Sequence, residues 1–223
     1  IKSDKVLAID IGLNNLATCF DGNRAFIIDG RKIKSINYCY NKTRAKLQSM
    51  RDKQGYKHET RRMFLLTRKR NRRIKDYMCK AAKKIMDYCL LHEIGKIVVG
   101  HNKGWKNEIN LGKRTNQNFV QVPFGLLMSY LSSKCQEYGI EYKEVVESHT
   151  SKCSFLDLEP IKHHDKYVGR RVKRGLFKSA EGILVNADVN GAANIGRKVT
   201  GDYSLNSDQI KGFVANPVRT KVA

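Results

Sequence analysis

Nothing in this chain has the makings of a membrane span or an export leader. No apolar run reaches the roughly 18 to 20 residues needed to cross a bilayer, and no charged, apolar and small-residue leader opens it. A soluble, cytoplasmic protein is expected. Close cysteine pairs are missing too: Cys19, Cys39, Cys79, Cys89, Cys135 and Cys153 include no Cys-x-x-Cys spacing. That excludes a small disulfide scaffold and predicts reduced thiols. Acidic residues are scarce, with 21 Asp and Glu against 43 Lys and Arg and a formal charge of +22. The excess is spread along the chain, and in a folded protein it costs self-repulsion unless a polyanion neutralises it, so a nucleic-acid partner is expected. A membrane surface is the weaker candidate, because no long basic helix carries a bulky apolar face. An initiator Met is also lacking. The chain starts at Ile1 with a strand pattern almost at once, which points to an upstream region.

What is present suffices for one core. At 223 residues and 41% hydrophobic content the chain is short for two catalytic domains, and it shows no repeat or low-complexity tract. Residues 5–12, 16–20 and 25–29 are apolar runs, the last two parted by Asp21-Gly22-Asn23, and predict a β-meander. Residues 42–91 turn helical, with a break near Gly55. Arg61, Arg62, Arg68, Lys69, Arg70, Arg72, Arg73 and Lys75 crowd the start of the second helix and predict a rail for a phosphate backbone. Met63, Leu65, Ile74, Met78, Ile85 and Leu90 are predicted to pack on the sheet. Gly95 introduces a strand at 96–100, and a loop rich in Asn, Gly and Lys, including Lys103, runs to Gln121. A helix over 124–138 ends at Gly139, and 140–146 reads as a strand. Residues 148–184 have no strong period but are basic around Arg170, Arg171, Lys173 and Arg174; Arg170, Arg171 and Arg174, with Lys103, are expected to bind nucleic acid and guide a DNA strand, and a last helix begins near Asp188. This order predicts an α/β fold of the RNase H-like (RuvC) kind, a mixed sheet flanked by helices. In that fold 42–91 is a basic helical hairpin and 148–185 an insertion before the last helix.

Two carboxylates stand out at opposite ends of that order. Asp10 lies in an apolar strand between Ile9 and Ile11, where an unpaired charge is costly and a cation is expected to compensate it. Taken alone, an Asp-x-Gly is more often a turn cap, and Asp188 before a small-residue helix equally fits an N-cap. Together, in this fold, they are candidates for one acidic cleft.

The segment Ala8-Ile-Asp-Ile-Gly-Leu-Asn-Asn-Leu-Ala17 resembles the first nuclease motif of the TnpB (OrfB) family, and Asn186-Ala-Asp-Val-Asn-Gly-Ala-Ala-Asn-Ile195 resembles its third. The basic hairpin and Asn216-Pro217-Val218 are also similar to that family, and the likeness spans nearly the whole chain apart from the family's N-terminal nucleic-acid-binding domains. The resemblance implies an RNA-guided DNA endonuclease encoded by a transposable element, with guide RNA and target DNA as partners. It further implies Mg²⁺ or Mn²⁺, two ions, held by Asp10 and Asp188.

Two departures modify what is implied. The family's second motif closes a strand with Glu, whereas this chain has Gly100-His101-Asn102 there, and neither glycine nor His101 replaces a hard oxygen ligand of Mg²⁺. The last strand emerges beside the one ending at Val99, so Glu147 is predicted to supply the missing carboxylate, with Glu108 as the alternative. Strand alternation sets Glu147 opposite in facing to Val146, and Glu141 and Glu144 are expected to face solvent or bind Lys and Arg. The family's two Cys-x-x-Cys pairs are reduced to Cys153, and His163 and His164 offer no fourth ligand at sensible spacing. Structural zinc is not expected, and Phe155, Leu156, Leu158 and Phe177 are expected to hold that segment as an apolar cluster. Loss of the Glu leaves open a catalytically inactive RNA-guided DNA-binding repressor. A stand-alone RNase H or resolvase suits the fold but explains neither the hairpin nor the Asn-Gly-Ala-Ala-Asn-Ile segment.

Overall fold

The computed structural model describes residues 3–101, 121–203 and 205–222. Its main sheet is built from the inside out. β1 (Val6–Ile11) is buried along its length, Leu7, Ile9 and Ile11 on one face and Val6 and Ala8 on the other, which is why it reads as an unbroken apolar run. β2 (Asn15–Phe20) and β3 (Ala25–Asp29) continue antiparallel from it. Asp21 ties their turn, its Oδ1 accepting the Asn23 and Arg24 backbone N–H groups at 2.8 and 2.6 Å while Gly22 takes φ 91°. On the other side of β1 lie β4 (Lys96–Gly100) and then β5 (Glu141–Val145), both parallel. A three-residue strand, β9 (Val218–Thr220), joins the far edge, so the order is β5-β4-β1-β2-β3-β9. This is the RNase H-like order that the element pattern predicted, widened by one strand that is too short to leave a pattern.

Helices cover both faces. α1 (Arg31–Lys53), α2 (Arg61–Leu91) and α3 (Phe124–Tyr138) pack through Ile33, Ile74, Met78, Ile85, Leu127 and Leu131 against Leu7, Ile9 and Ile97. The hairpin starts earlier than the 42–91 pattern suggested, because Ile33, Ile36 and Asn37 bury one face of α1 at helical spacing among its lysines. Leu65 and Leu90 depart from expectation: they lie outside the buried stripe and are exposed. Gly139 ends α3 with φ 66°, the left-handed cap expected there.

The opposite face is covered by α4 (Ala187–Thr200). Leading into it is a second sheet that the sequence pattern did not reveal, β6 (Arg170–Lys173), β7 (Leu176–Lys178) and β8 (Leu184–Asn186), antiparallel throughout. All four residues of β6 are exposed, so no alternation marks it. Phe155 and Phe177 are buried together with Val185 and Val189 and Leu156 packs on them, but Leu158, at φ 50°, is exposed and outside the expected cluster.

Candidate functional site

Side-chain alternation directs three positions at α4, two in the main sheet and one just beyond β5. Val6, Ala8, Val98 and Val145 pack with Ile195 on that face, so Asp10, Gly100 and Glu147, each two residues further along, share it. On α4 the matching residues follow helical spacing. Asp188 is in the first turn, Gly191 comes three residues on, and Ile195 four after that. A Cβ added at Gly191 would stand 2.7 Å from Asp10 Oδ2, and one added at Gly100 would meet Ile195 Cδ1 at 2.4 Å and Glu147 Oε2 at 3.3 Å. Asp188, Asp10 and Glu147 are therefore strung along one face of α4, Asp10 in the middle, within about 10 Å at the usual rise of 1.5 Å per residue. The two glycines leave room for this close approach.

Glu147 thus fills space beside the glycine that stands where the resemblance leads one to expect Glu. Even a single carbon at Gly100 collides with Ile195.

The turn that carries Glu147 is fastened mainly from α4. Lys198 Nζ donates to the carbonyls on either side of it, Val146 O at 2.6 Å and Ser148 O at 3.0 Å. Glu147 O itself accepts from the Thr150 hydroxyl at 2.7 Å and backbone N–H at 3.2 Å. Asn194 Nδ2 donates to Thr150 O and Cys153 O at 2.9 and 2.7 Å, and Asn190 bonds Cys153 O and Phe155 N at 2.9 and 3.1 Å. Both asparagines are fully buried, so each bond satisfies a group that burial would otherwise leave costly. Buried Glu159 gathers the Ser154 and Val168 N–H groups at 2.8 and 3.0 Å, and the Cys153 thiol donates to Pro160 O and Lys162 O. His164 bonds Pro160 O at 2.8 Å, and His163 packs edge-on against His149.

Electrostatically the centre of the row is under tension. Burial first, then the charges of Glu147 and Asp188, push the Asp10 carboxyl well above the usual range, with only Arg171 opposing. Burial also raises Glu147, against the pull of Lys198, whose own pKa is lowered by desolvation. Asp188 accepts from Asn15 Nδ2 at 2.5 Å and lies 3.5 Å from Arg171 Nη2. Its backbone N–H is capped by the Asn186 side chain at 3.0 Å. Asp10, Asp188, Asn15, Arg171 and Arg174 line one open cleft of about 370 Å³. Among the described residues no three His, Cys, Asp or Glu side chains are gathered to hold a single metal ion.

The other predicted residues divide. Arg171 and Arg174 reach the cleft, while Arg170 is exposed on β6. Arg61, Arg62, Arg68, Arg72 and Arg73 are exposed on α2. Arg70 departs from the expected rail. Its guanidinium stacks on Tyr40 and bonds Asn37 Oδ1 at 2.9 Å and Gln121 O at 2.7 Å, so it joins α1, α2 and the approach to α3. Glu141 pairs with Lys96 at 2.8 Å and Glu144 lies 3.8 Å from His101, away from the row. Glu108 and Lys103 lie outside the described residues. Composition and periodicity did not single out Asn15, Lys198, Asn190 or Asn194. The four-residue spacing of the last two on a small-residue helix was the available signal.

Comparison with known proteins converges on one group. A family model, OrfB_IS605, described as "Probable transposase", matches residues 2–106, and one described as "Cas12f1-like, TNB domain" matches residues 124–195. The TnpB-like protein ORF457 of Acidianus two-tailed virus is 29% identical over 213 residues, 90% of this chain and 43% of that protein. Among solved structures, a Cas12f1–sgRNA–target DNA complex aligns with TM-score 0.62 at 19% identity, covering 87% of this chain and 50% of that one. A CRISPR-Cas12f ternary complex aligns with TM-score 0.67, also at 19% identity, covering 87% and 39%. These structural likenesses speak for the fold, and the chain spans half or less of the length of each of these relatives.

Proposed function

We propose that this chain, whose matches to two family models and to a TnpB-like protein support membership of the TnpB (OrfB) family, is the RuvC-like nuclease part of an RNA-guided DNA endonuclease encoded by a transposable element. The observation that carries this reading is the row Asp188, Asp10, Glu147 along α4. Hard carboxylate oxygens suit Mg²⁺ or Mn²⁺. Asp10, desolvated between two like charges, is the position a divalent cation would relieve most. Asp10, Glu147 and Asp188 would hold such ions, two of them by likeness to the family. Bound there, the ions would supply an activated water and stabilise the leaving oxygen of a phosphodiester.

The chain's own groups do the rest. Arg171 and Arg174 sit on the cleft wall where a scissile phosphate would lie. Arg171, now 3.5 Å from Asp188, has both a carboxylate and a phosphate within its scope. Exposed arginines of α2 supply backbone contacts without base readout. Sequence choice then falls to guide pairing, as in other RNA-guided effectors, and guide RNA and target DNA are the partners proposed.

A second reading, a DNA-binding relative that no longer cuts, draws on the ungathered carboxylates and the Arg171 contact with Asp188. The protein purified with its co-purifying RNA, incubated with labelled duplex target and Mg²⁺, separates the two. Guide- and metal-dependent cutting is expected. Tight guided binding without cutting would establish the second reading, and guide-free cutting of RNA–DNA hybrids would replace both with a stand-alone ribonuclease H.

A further inference from the structure

Asn15 opens β2 and lines the same cleft as Asp10 and Asp188. One half of its amide is used, Nδ2 donating to Asp188 Oδ2 at 2.5 Å. The other half is not: Oδ1 is sealed from solvent and has no hydrogen-bond partner among the described residues. Turning the amide over would not repair this, because Oδ1 would then face a carboxylate oxygen and Nδ2 would become the orphan. The adjacent Asn14 makes the contrast plain, its Oδ1 accepting from Lys34 Nζ at 2.7 Å. Gly12 lets the Asn15 backbone come this close to the end of β1, since a Cβ there would stand 2.8 Å from Asn15 O.

A buried acceptor without a donor is costly and is seldom kept without a use. Arg171 and Arg174 line the same cleft as the carboxylates, yet neither bonds this oxygen, which leaves a metal cation or the water it holds to satisfy it. We infer that Asn15 is a fourth oxygen of the site: its nitrogen fixes the Asp188 carboxylate, and its carbonyl oxygen serves as a neutral donor to the divalent ion at the Asp188 end. Neutrality matters here, because three carboxylates already repel one another and an amide adds an oxygen without a charge. The inference rests on the metal-dependent reading of the cleft, and it can fail while that reading stands.

The test is Mn²⁺ binding by the protein–RNA complex, followed through loss of the free-ion electron paramagnetic resonance signal, in wild type, Asp10→Ala, Asn15→Ala and Asn15→Asp. Asn15→Ala is expected to weaken binding about 10-fold or more, the scale seen when groups that orient and support metal ligands are removed. Asn15→Asp keeps an oxygen but loses the N–H donor and adds a fourth negative charge, whose repulsion a bound divalent ion offsets, and is expected to bind within a few-fold of wild type. Equal losses in the two Asn15 variants would reduce the residue to a support for Asp188 and overturn the donor assignment. So would wild-type binding by Asn15→Ala where Asp10→Ala has lost it. If wild type and Asp10→Ala bind Mn²⁺ alike, the metal reading itself falls.

Discussion

At the first turn of α4, Asp188 belongs to the helix that presents it and is held by that helix's own cap, with Asn15 steadying the carboxylate from β2. Two turns on, Glu147 comes from a turn beyond β5 that has no regular structure, and α4 holds it from outside, Lys198 bonding the carbonyls before and after it. One carboxylate is fixed by local helix geometry and the other by a long-range clamp. The difference teaches that a cleft can draw carboxylates from a helix's own first turn and from an irregular turn alike, provided a neighbouring element supplies anchors for the second. Gly100 and Ile195 leave no room for a carboxylate on β4 itself: the first has no side chain, and the second fills part of the space a side chain there would need.

The largest effect should come from breaking the end that obeys local rules and the centre both ends share. Asp10→Ala and Asp188→Ala are expected to abolish guided cleavage while guide and target affinity stay near wild type; cutting at the parental rate by a folded variant would refute the site. Asp10 adds a stability effect of opposite sign. Its carboxyl is raised in the folded protein, so the stability it contributes when protonated is fully present below the ordinary carboxylate range and is lost as pH rises through the raised value. Without divalent ions, near neutral pH, Asp10→Asn should therefore raise Tm by on the order of a few °C. A lower Tm in calorimetry would show that the charge is compensated in a way the fold does not display.

Next comes the Glu147 end. Glu147→Gln is expected to bind guide and target normally and lose about 100-fold or more in cleavage, the scale of removing one group that stabilises charge in a transition state, whereas Glu108→Gln keeps activity. The sharper form restores the family pattern. Gly100→Glu with Glu147→Gln should stay inactive, because Ile195 occupies the space, and adding Ile195→Ala should recover measurable cutting. Recovery without the Ile195 change would show that the collision is relieved by other means. A smaller effect belongs to the clamp. Lys198→Met should reduce cleavage several-fold and raise the Mg²⁺ concentration needed for half-maximal rate, with Asp188-end contacts untouched; an unchanged Mg²⁺ dependence would make Lys198 a surface lysine.

How far this was legible in the sequence follows the same division. β1, β2, β4 and α3 were readable because burial on both faces, or a left-handed glycine at 139, leaves a mark in residue type. Asp10 and Asp188 stood out through motif likeness, and the facing of Glu147 came from alternation beyond β5. The second sheet was hidden, since β6 is wholly exposed and residues 148–168 are held by Asn190, Asn194 and Glu159 bonding backbone groups. Such bonds are long-range and aperiodic. Arg70 misled for a related reason: a run of cations does not show which guanidinium is stacked on Tyr40 and tied to Asn37.

The smallest expected effect tests the arginines that remain once Arg70 is set aside. Arg68, Arg72 and Arg73 are exposed on α2, apart from the carboxylate cleft. Replacing all three with Gln should leave the fold and the metal site intact, because none takes part in the α1–α2 joint that Arg70 makes. If they meet phosphates, each lost contact lowers the salt dependence of DNA affinity by about 0.9 in the slope of log K against log salt. Affinity for unrelated sequences should fall in parallel, since backbone contacts carry no sequence information. Adding Arg70→Gln should instead lower Tm, which separates the joint from the rail. Equilibrium binding over a salt series measures both quantities. An unchanged slope in the triple variant would leave these arginines as solvated surface and shift the search for the polyanion's path to the cleft side, where Arg171 and Arg174 already stand.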